Sequence, residues 1–187
     1  MAPERADAAR NRARVLDAAR RLVSAHGPGQ VSMDQVAAAA GVGKGTLFRR
    51  FGSRADLMAA LLDDEERLSQ RAFLFGDPPL GPGAPPLERL RAFGEHRIRY
   101  AHRHHALLIA AGRAAPHHRQ SPPETVIRAH VRILLAAAGS SGDLDAQADA
   151  LTALLNPEYV EALCHEGRDE DHQIRAWASL AAKLCGH

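Results

Sequence analysis

Twenty residues, Ser32 to Phe51, constrain this chain more tightly than any other stretch: "SMDQVAAAAGVGKGTLFRRF". Ser32 followed three positions later by Gln35 is a capping box, in which the hydroxyl accepts from the Gln35 amide and the Gln35 side chain reaches back. Val31 and Val36 fit the flanking hydrophobic staple. The pattern predicts a short helix over Met33–Ala40, closed by Gly41 in the left-handed conformation that glycine adopts cheaply. Gly43 is tolerated as an N-cap, so a third helix is expected from Lys44 to about Arg50. Leu47 and Phe51, four apart, fall on the face that turns inward.

The flanking sequence continues the helical reading. Val15, Leu16, Ala19, Leu22 and Val23 keep helical spacing over Ala8–His26, and Gly27-Pro28-Gly29 ends that helix. Ser53-Arg54-Ala55-Asp56 is a second capping signal. It opens a long helix with Leu57, Leu61, Leu68, Ala72 and Phe75 along one stripe. Gly76–Pro86 breaks it, with five prolines and three glycines in eleven residues. Helices are expected over Leu87 to about His102, about His105–Ala115 and about Glu124–Ala138. The last two segments, about Asp143–Glu166 and Asp169–Cys185, are apolar-periodic, with a kink at Pro157.

No alternating pattern of useful length and no internal repeat appears. Aromatic residues are 4 % of a chain that is 45 % hydrophobic, so the core is built from Leu, Ala, Val and Ile. Ala and Leu favour helix over sheet. The fold class is therefore all-α, about nine helices in two parts: residues 1–54 and residues 55–187.

"GVGKGT" also resembles a phosphate-cradling loop. The Walker pattern G-x-x-x-x-G-K-[ST] requires glycine at 38 and a hydroxyl at 45, between a strand and a helix. The chain has Ala38 and Gly45, and the preceding segment is a capped helix. Nucleotide hydrolysis is excluded on all three grounds.

Helix, glycine turn and short basic helix is instead the helix-turn-helix pattern, whose second helix enters the major groove. Residues 1–54 carry ten Arg/Lys against four Asp/Glu, a charge of +6, while the remaining 133 residues carry −4. A basic head on an acidic body points to a polyanion at the head. Only Lys44 and Lys183 of the 24 basic residues are lysines, so arginine richness alone carries little weight. Lys44 and Arg49 suit guanine edges. Thr46, Arg50 and Arg54 suit phosphates, as does Ser32 at a helix N-terminus.

Residues 10–61 resemble the N-terminal domain of TetR/AcrR-type transcriptional regulators. The matching stretches are "RVLDAARRLVSAHG" and "VSMDQVAAAAGVGKGTLFRRFGSRADL", with the long helix after them. The resemblance implies a homodimer joined through its last two helices. It also implies a DNA-binding domain over 1–54 and a ligand-binding and dimerisation domain over 55–187. Groove-facing residues would be Lys44, Gly45, Phe48 and Arg49; phosphate contacts would come from Ser32, Thr46, Arg50 and Arg54. Phe48 stands where the family usually has tyrosine, so a hydroxyl contact is missing there. Gly43 is also more often a hydroxyl residue. The implied function is a non-catalytic repressor that binds a palindromic operator and is released by a small-molecule effector. Phe73, Phe75, Phe93, Tyr100, Leu107 and Leu108 are candidate lining of the effector cavity.

Eleven histidines leave alternatives open: a metal-sensing regulator, or a histidine-rich metal-dependent enzyme. His102 and His105 are three apart, and His117-His118, Cys164-His165 and His172 add donors. No dense Cys/His cluster with fixed ligand spacing appears, so no metal ligand and no cofactor is assigned. "HEGRDEDH" reads better as a glycine-broken turn with Asp169 capping the last helix. Cys164 and Cys185 are expected as reduced thiols. No apolar run reaches membrane-spanning length and the start lacks a signal-peptide core, so a cytoplasmic location is expected.

Overall fold

A computed structural model describes residues 2–111 and 122–186. Among them are nine α-helices and no strand: α1 (Ala2–His26), α2 (Met33–Ala40), α3 (Lys44–Phe51), α4 (Arg54–Phe75), α5 (Pro86–Ala110), α6 (Pro122–Ala137), α7 (Leu144–Ala153), α8 (Pro157–His165) and α9 (Glu170–Leu184). A 3-10 turn, Pro28–Gln30, joins α1 to α2. No described helix is long and apolar enough to cross a membrane.

The chain forms two compact units. The first comprises Met1–Glu65 with Ala106–Ala114, the second Glu66–His105 with Ala115–His187. In the first, Val15, Leu16, Ala18 and Ala19 of α1, Val36, Ala37 and Ala40 of α2, Leu47 and Phe51 of α3, and Leu57, Met58, Leu61 and Leu62 of α4 are buried. Each large aliphatic side chain so buried stabilises the fold by about 1.5–3 kcal/mol. Polar ties add to this core. Arg14 Nη2 donates to the Ala40 carbonyl at the end of α2, 2.8 Å away. Arg20 donates to Asp17 at 2.6 Å, Asp64 at 2.7 Å and Glu65 at 2.6 Å. The hydrogen bond to Glu65, with smaller contributions from the charges, raises the Arg20 pKa.

The second unit buries Phe73, Leu90, Phe93, Ile98, Ile127, Val131, Leu134, Leu135, Ala148, Leu151 and Trp177. Trp177 Nε1 donates to the Leu90 carbonyl at 3.0 Å. The backbone of Gly94 passes so close to the indole that an added Cβ would lie 1.8 Å from Trp177 Nε1.

Several elements differ from the sequence reading. The first helix begins at Ala2 rather than Ala8; Pro3 lies in its first turn, where a missing N–H costs nothing. The expected break at His102–His105 is absent, and α5 runs unbroken from Pro86 to Ala110. His102, His104 and His105 are half-buried within the continuous helix, and nothing in "HRHH" caps or kinks a helix. Pro157 does more than kink: it ends one helix and begins another. Its ring cannot follow a helical turn, and Asn156 caps the new helix by accepting from Glu158 N at 2.8 Å and Tyr159 N at 3.4 Å.

The stripe of α4 also shifts. Leu57 and Leu61 are buried, but Leu68 is 51 % and Phe75 79 % exposed, while Ser69 and Phe73 are inside. Both rows keep helical spacing. The fold selects Ser69 because its hydroxyl lies 2.8 Å from His96 Nε2 and accepts from Arg97 Nη1 at 2.9 Å.

Candidate nucleic-acid interface

The capping box forms as the sequence requires. Gln35 N donates to Ser32 Oγ at 3.2 Å, and Ser32 N donates to Gln35 Oε1 at 2.8 Å. Gly41 takes φ 62°, ψ 39° and closes α2. The amide of Val42 donates back to the Ala37 carbonyl at 3.0 Å. Gly43 is extended and its carbonyl accepts from Thr46 N at 2.9 Å and Leu47 N at 3.1 Å, starting α3.

With Leu47 and Phe51 buried beneath it, α3 presents Lys44, Gly45, Thr46, Phe48, Arg49 and Arg50 to the exterior. Phe48 is 40 % exposed. A Cβ added at Gly45 would meet nothing within 4 Å, so this spot on the helix is flat and open. Arg49 Nη2 donates to Thr46 Oγ1 at 3.3 Å. This is an exposed, cationic face that includes one apolar ring.

Arg54 stands apart from that face. It is half-buried, its Nε donates to the Val31 carbonyl at 2.8 Å, and its Nη2 donates to the Pro28 carbonyl. Its guanidinium thus anchors the turn between α1 and α2. Ser53 and Asp56 form the second capping box beside it, Asp56 N donating to Ser53 Oγ at 3.1 Å.

Two participants were not singled out from sequence. Asp34, in the first turn of α2, accepts from Lys44 Nζ at 2.8 Å. Arg14 holds the α2 terminus that precedes the glycine reversal. Nothing in the local sequence marks either, because each partner lies ten or more residues away.

The residues proposed for an effector cavity fall in both units. Phe73 and Phe93 meet edge to face, ring centroids 5.0 Å apart, and His130 packs against both at 4.7 and 4.9 Å. Phe75 is exposed, Tyr100 and Leu107 are buried, and Leu108 is half-buried. Leu107 and Leu108 fall in the first unit, the other four in the second. An open cleft of about 310 Å³ in the second unit is lined by Pro79, Ala92, Glu95, His96, Arg99, Tyr100 and Arg103. Of the six expected residues it includes Tyr100. Burial, helped by the Arg97 and Arg103 charges, lowers the His96 pKa to about 4. Asp169 caps α9 by accepting from His172 N at 2.8 Å, and Cys164 and Cys185 are free thiols. His117 and His118 lie outside the described residues.

Residues 15–61 match the family model of bacterial regulatory proteins, tetR family. Over 54 residues the chain is 43 % identical to an uncharacterized HTH-type transcriptional regulator of Mycobacterium tuberculosis; the match covers 29 % of this chain and 27 % of that protein. The chain thus aligns with little more than a quarter of the length of the curated relatives it matches. The fold is similar over nearly the whole chain to two solved structures. One is a TetR transcriptional regulator from Rhodococcus sp. RHA1, with TM-score 0.60, 24 % identity, and 97 % of this chain and 98 % of that one covered. The other is a transcriptional regulator from Pseudomonas aeruginosa PAO1, with TM-score 0.62, 19 % identity, and 94 % and 90 % covered.

Proposed function

We propose that this chain, a member of the tetR family of bacterial regulatory proteins by its residues 15–61, is a DNA-binding repressor without catalytic activity. One observation carries the reading. A basic, exposed α3 face is held out by a capped α2 and a left-handed Gly41, the construction a helix needs to enter a major groove. Lys44, Gly45, Phe48 and Arg49 meet base edges. Ser32, Thr46 and Arg50 meet phosphates. Phe48, lacking a hydroxyl, offers its ring to a thymine methyl or a sugar. Arg54 supports the interface through the α1–α2 turn rather than by direct charge.

Residues 1–54 form the DNA-reading part and residues 55–187 the regulatory part. The protein acts as a homodimer through α8 and α9, on a palindrome whose half-sites match the spacing of its two α3 helices. A small-molecule effector that prefers the other spacing releases it. Phe73, Phe93 and Tyr100 remain the proposed contributors to the effector site from the second unit.

The test is fluorescence anisotropy with DNA from upstream of its own gene against a shuffled duplex, over a salt series. Tighter binding to the first duplex, falling steeply with salt, supports the reading. A folded dimer that binds neither duplex at low salt would falsify it.

A further inference from the structure

The fold draws together side chains that the sequence scatters. His102 and His105 lie one turn apart on α5; Glu161, Cys164 and His165 lie one turn apart on α8. Cys164 Sγ stands 3.8 Å from His102 Nδ1 and 3.9 Å from its Nε2. Glu161 Oε1 stands 2.7 Å from His105 Nε2 and 3.6 Å from His165 Nε2. All five residues belong to the second unit.

Zinc binds sulfur at about 2.3 Å and nitrogen or oxygen at about 2.0–2.1 Å, so tetrahedral ligands stand about 3.6 Å (S to N) and about 3.3 Å (N to O) apart. The His102–Cys164 separation is within a few tenths of an ångström of one such edge. His105 and Glu161, 2.7 Å apart, supply the opposite edge. As they stand, no three His, Cys, Asp or Glu side chains among the described residues converge closely enough to hold an ion. What separates the two pairs is one helical turn and the rotamers of side chains that are all half-buried or exposed. Such side chains change rotamer without repacking a core.

The sulfur is also held in place: Cys164 Sγ donates to the Val160 carbonyl at 3.3 Å. Gln173, buried on α9, donates from Nε2 to Cys164 Sγ at 3.4 Å. It is held in place by further bonds to the Val160 carbonyl at 3.2 Å and the Arg168 carbonyl at 2.9 Å.

We propose that His102, His105, Glu161 and Cys164 form a binding site for one zinc ion per chain, two ligands from each of α5 and α8. Imidazole and thiolate select zinc-like ions over magnesium or calcium. The ion displaces the thiol proton and replaces the direct His105–Glu161 contact. This assignment does not depend on DNA binding.

The test uses the full chain, stripped of metal, titrated with cobalt(II) as a coloured stand-in and then with zinc. One cobalt per chain, a thiolate-to-cobalt band in the near ultraviolet and displacement by zinc are expected. Cys164→Ser should remove the band, and His102→Ala should weaken zinc binding at least about tenfold. His165→Ala should leave it intact. Because Cys164 is exposed, Cys164→Ser keeps the test decisive even if His102→Ala misfolds. No saturable binding, unchanged zinc affinity in Cys164→Ser, or one ion shared by two chains would overturn the proposal.

Discussion

Lys44 Nζ stands 2.8 Å from the Asp34 carboxylate, so the first residue of α3 is tied to the first turn of α2 across the glycine reversal. Both side chains are 63 % exposed, and an exposed pair of this kind contributes at most about 1 kcal/mol. Its larger effect is electrostatic, since it places a negative charge on the face proposed to meet phosphates. Asp34→Asn should leave the thermal midpoint nearly unchanged and tighten DNA binding several-fold. The slope of log affinity on log salt should steepen by roughly one. An unchanged affinity in the anisotropy assay would mean that Lys44 does not face DNA.

Arg49 and Arg54 separate recognition from support. Arg49→Ala should fold with stability within about 0.5 kcal/mol of the parent and lose about 1–3 kcal/mol of discrimination against the shuffled duplex. Arg54→Ala strips the Val31 and Pro28 carbonyls of a charged donor and should lower unfolding stability by about 1–3 kcal/mol. Thermal unfolding by circular dichroism distinguishes them. Equal midpoints for the two variants would contradict the anchoring role of Arg54.

Two glycines in helices should respond oppositely to alanine. At Gly45 the added methyl meets open space, so Gly45→Ala should stabilise by about 0.5–1 kcal/mol. It should also weaken DNA binding, by crowding the groove-facing surface. At Gly94 the methyl meets the Trp177 indole at 1.8–2.1 Å, so Gly94→Ala should cost about 3 kcal/mol or more. Urea midpoints of the two variants check both signs.

Stability should fall on acidification between pH 6.5 and about 4. Burial, with the charges of Arg97 and Arg103 near His96 and of Arg89 near His130, lowers both imidazole pKa values from the ordinary 6.5 to about 4. The unfolded chain therefore binds protons in this window that the folded chain refuses, and stability rises with pH until both states are neutral. His130, wedged against Phe73 and Phe93, has no hydrogen-bond partner for Nε2 among the described residues. His130→Leu should retain the fold and roughly halve the dependence of the urea midpoint on pH in this window. A dependence identical to the parent's would show that His130 titrates normally.

Local chemistry determined much of this protein by itself. A serine three residues before a glutamine, a left-handed glycine, and an apolar pair at i and i+4 state their own geometry. Accordingly α2, the reversal, α3 and the inward faces of Leu47 and Phe51 could be read directly, because each depends on neighbours within a few residues. The caps at Ser53 and Asp169 were legible for the same reason. Tertiary structure alone decided what depends on distant partners. It buried Ser69 rather than Leu68 because His96 and Arg97 wait opposite. It turned Arg54 toward the Pro28 and Val31 carbonyls, and it set Asp34 against Lys44. It left Phe75 exposed and carried α5 through the histidines that looked like a boundary. It also brought His102 to Cys164 across sixty-two positions, a pairing no periodicity records because only the packing of whole helices creates it.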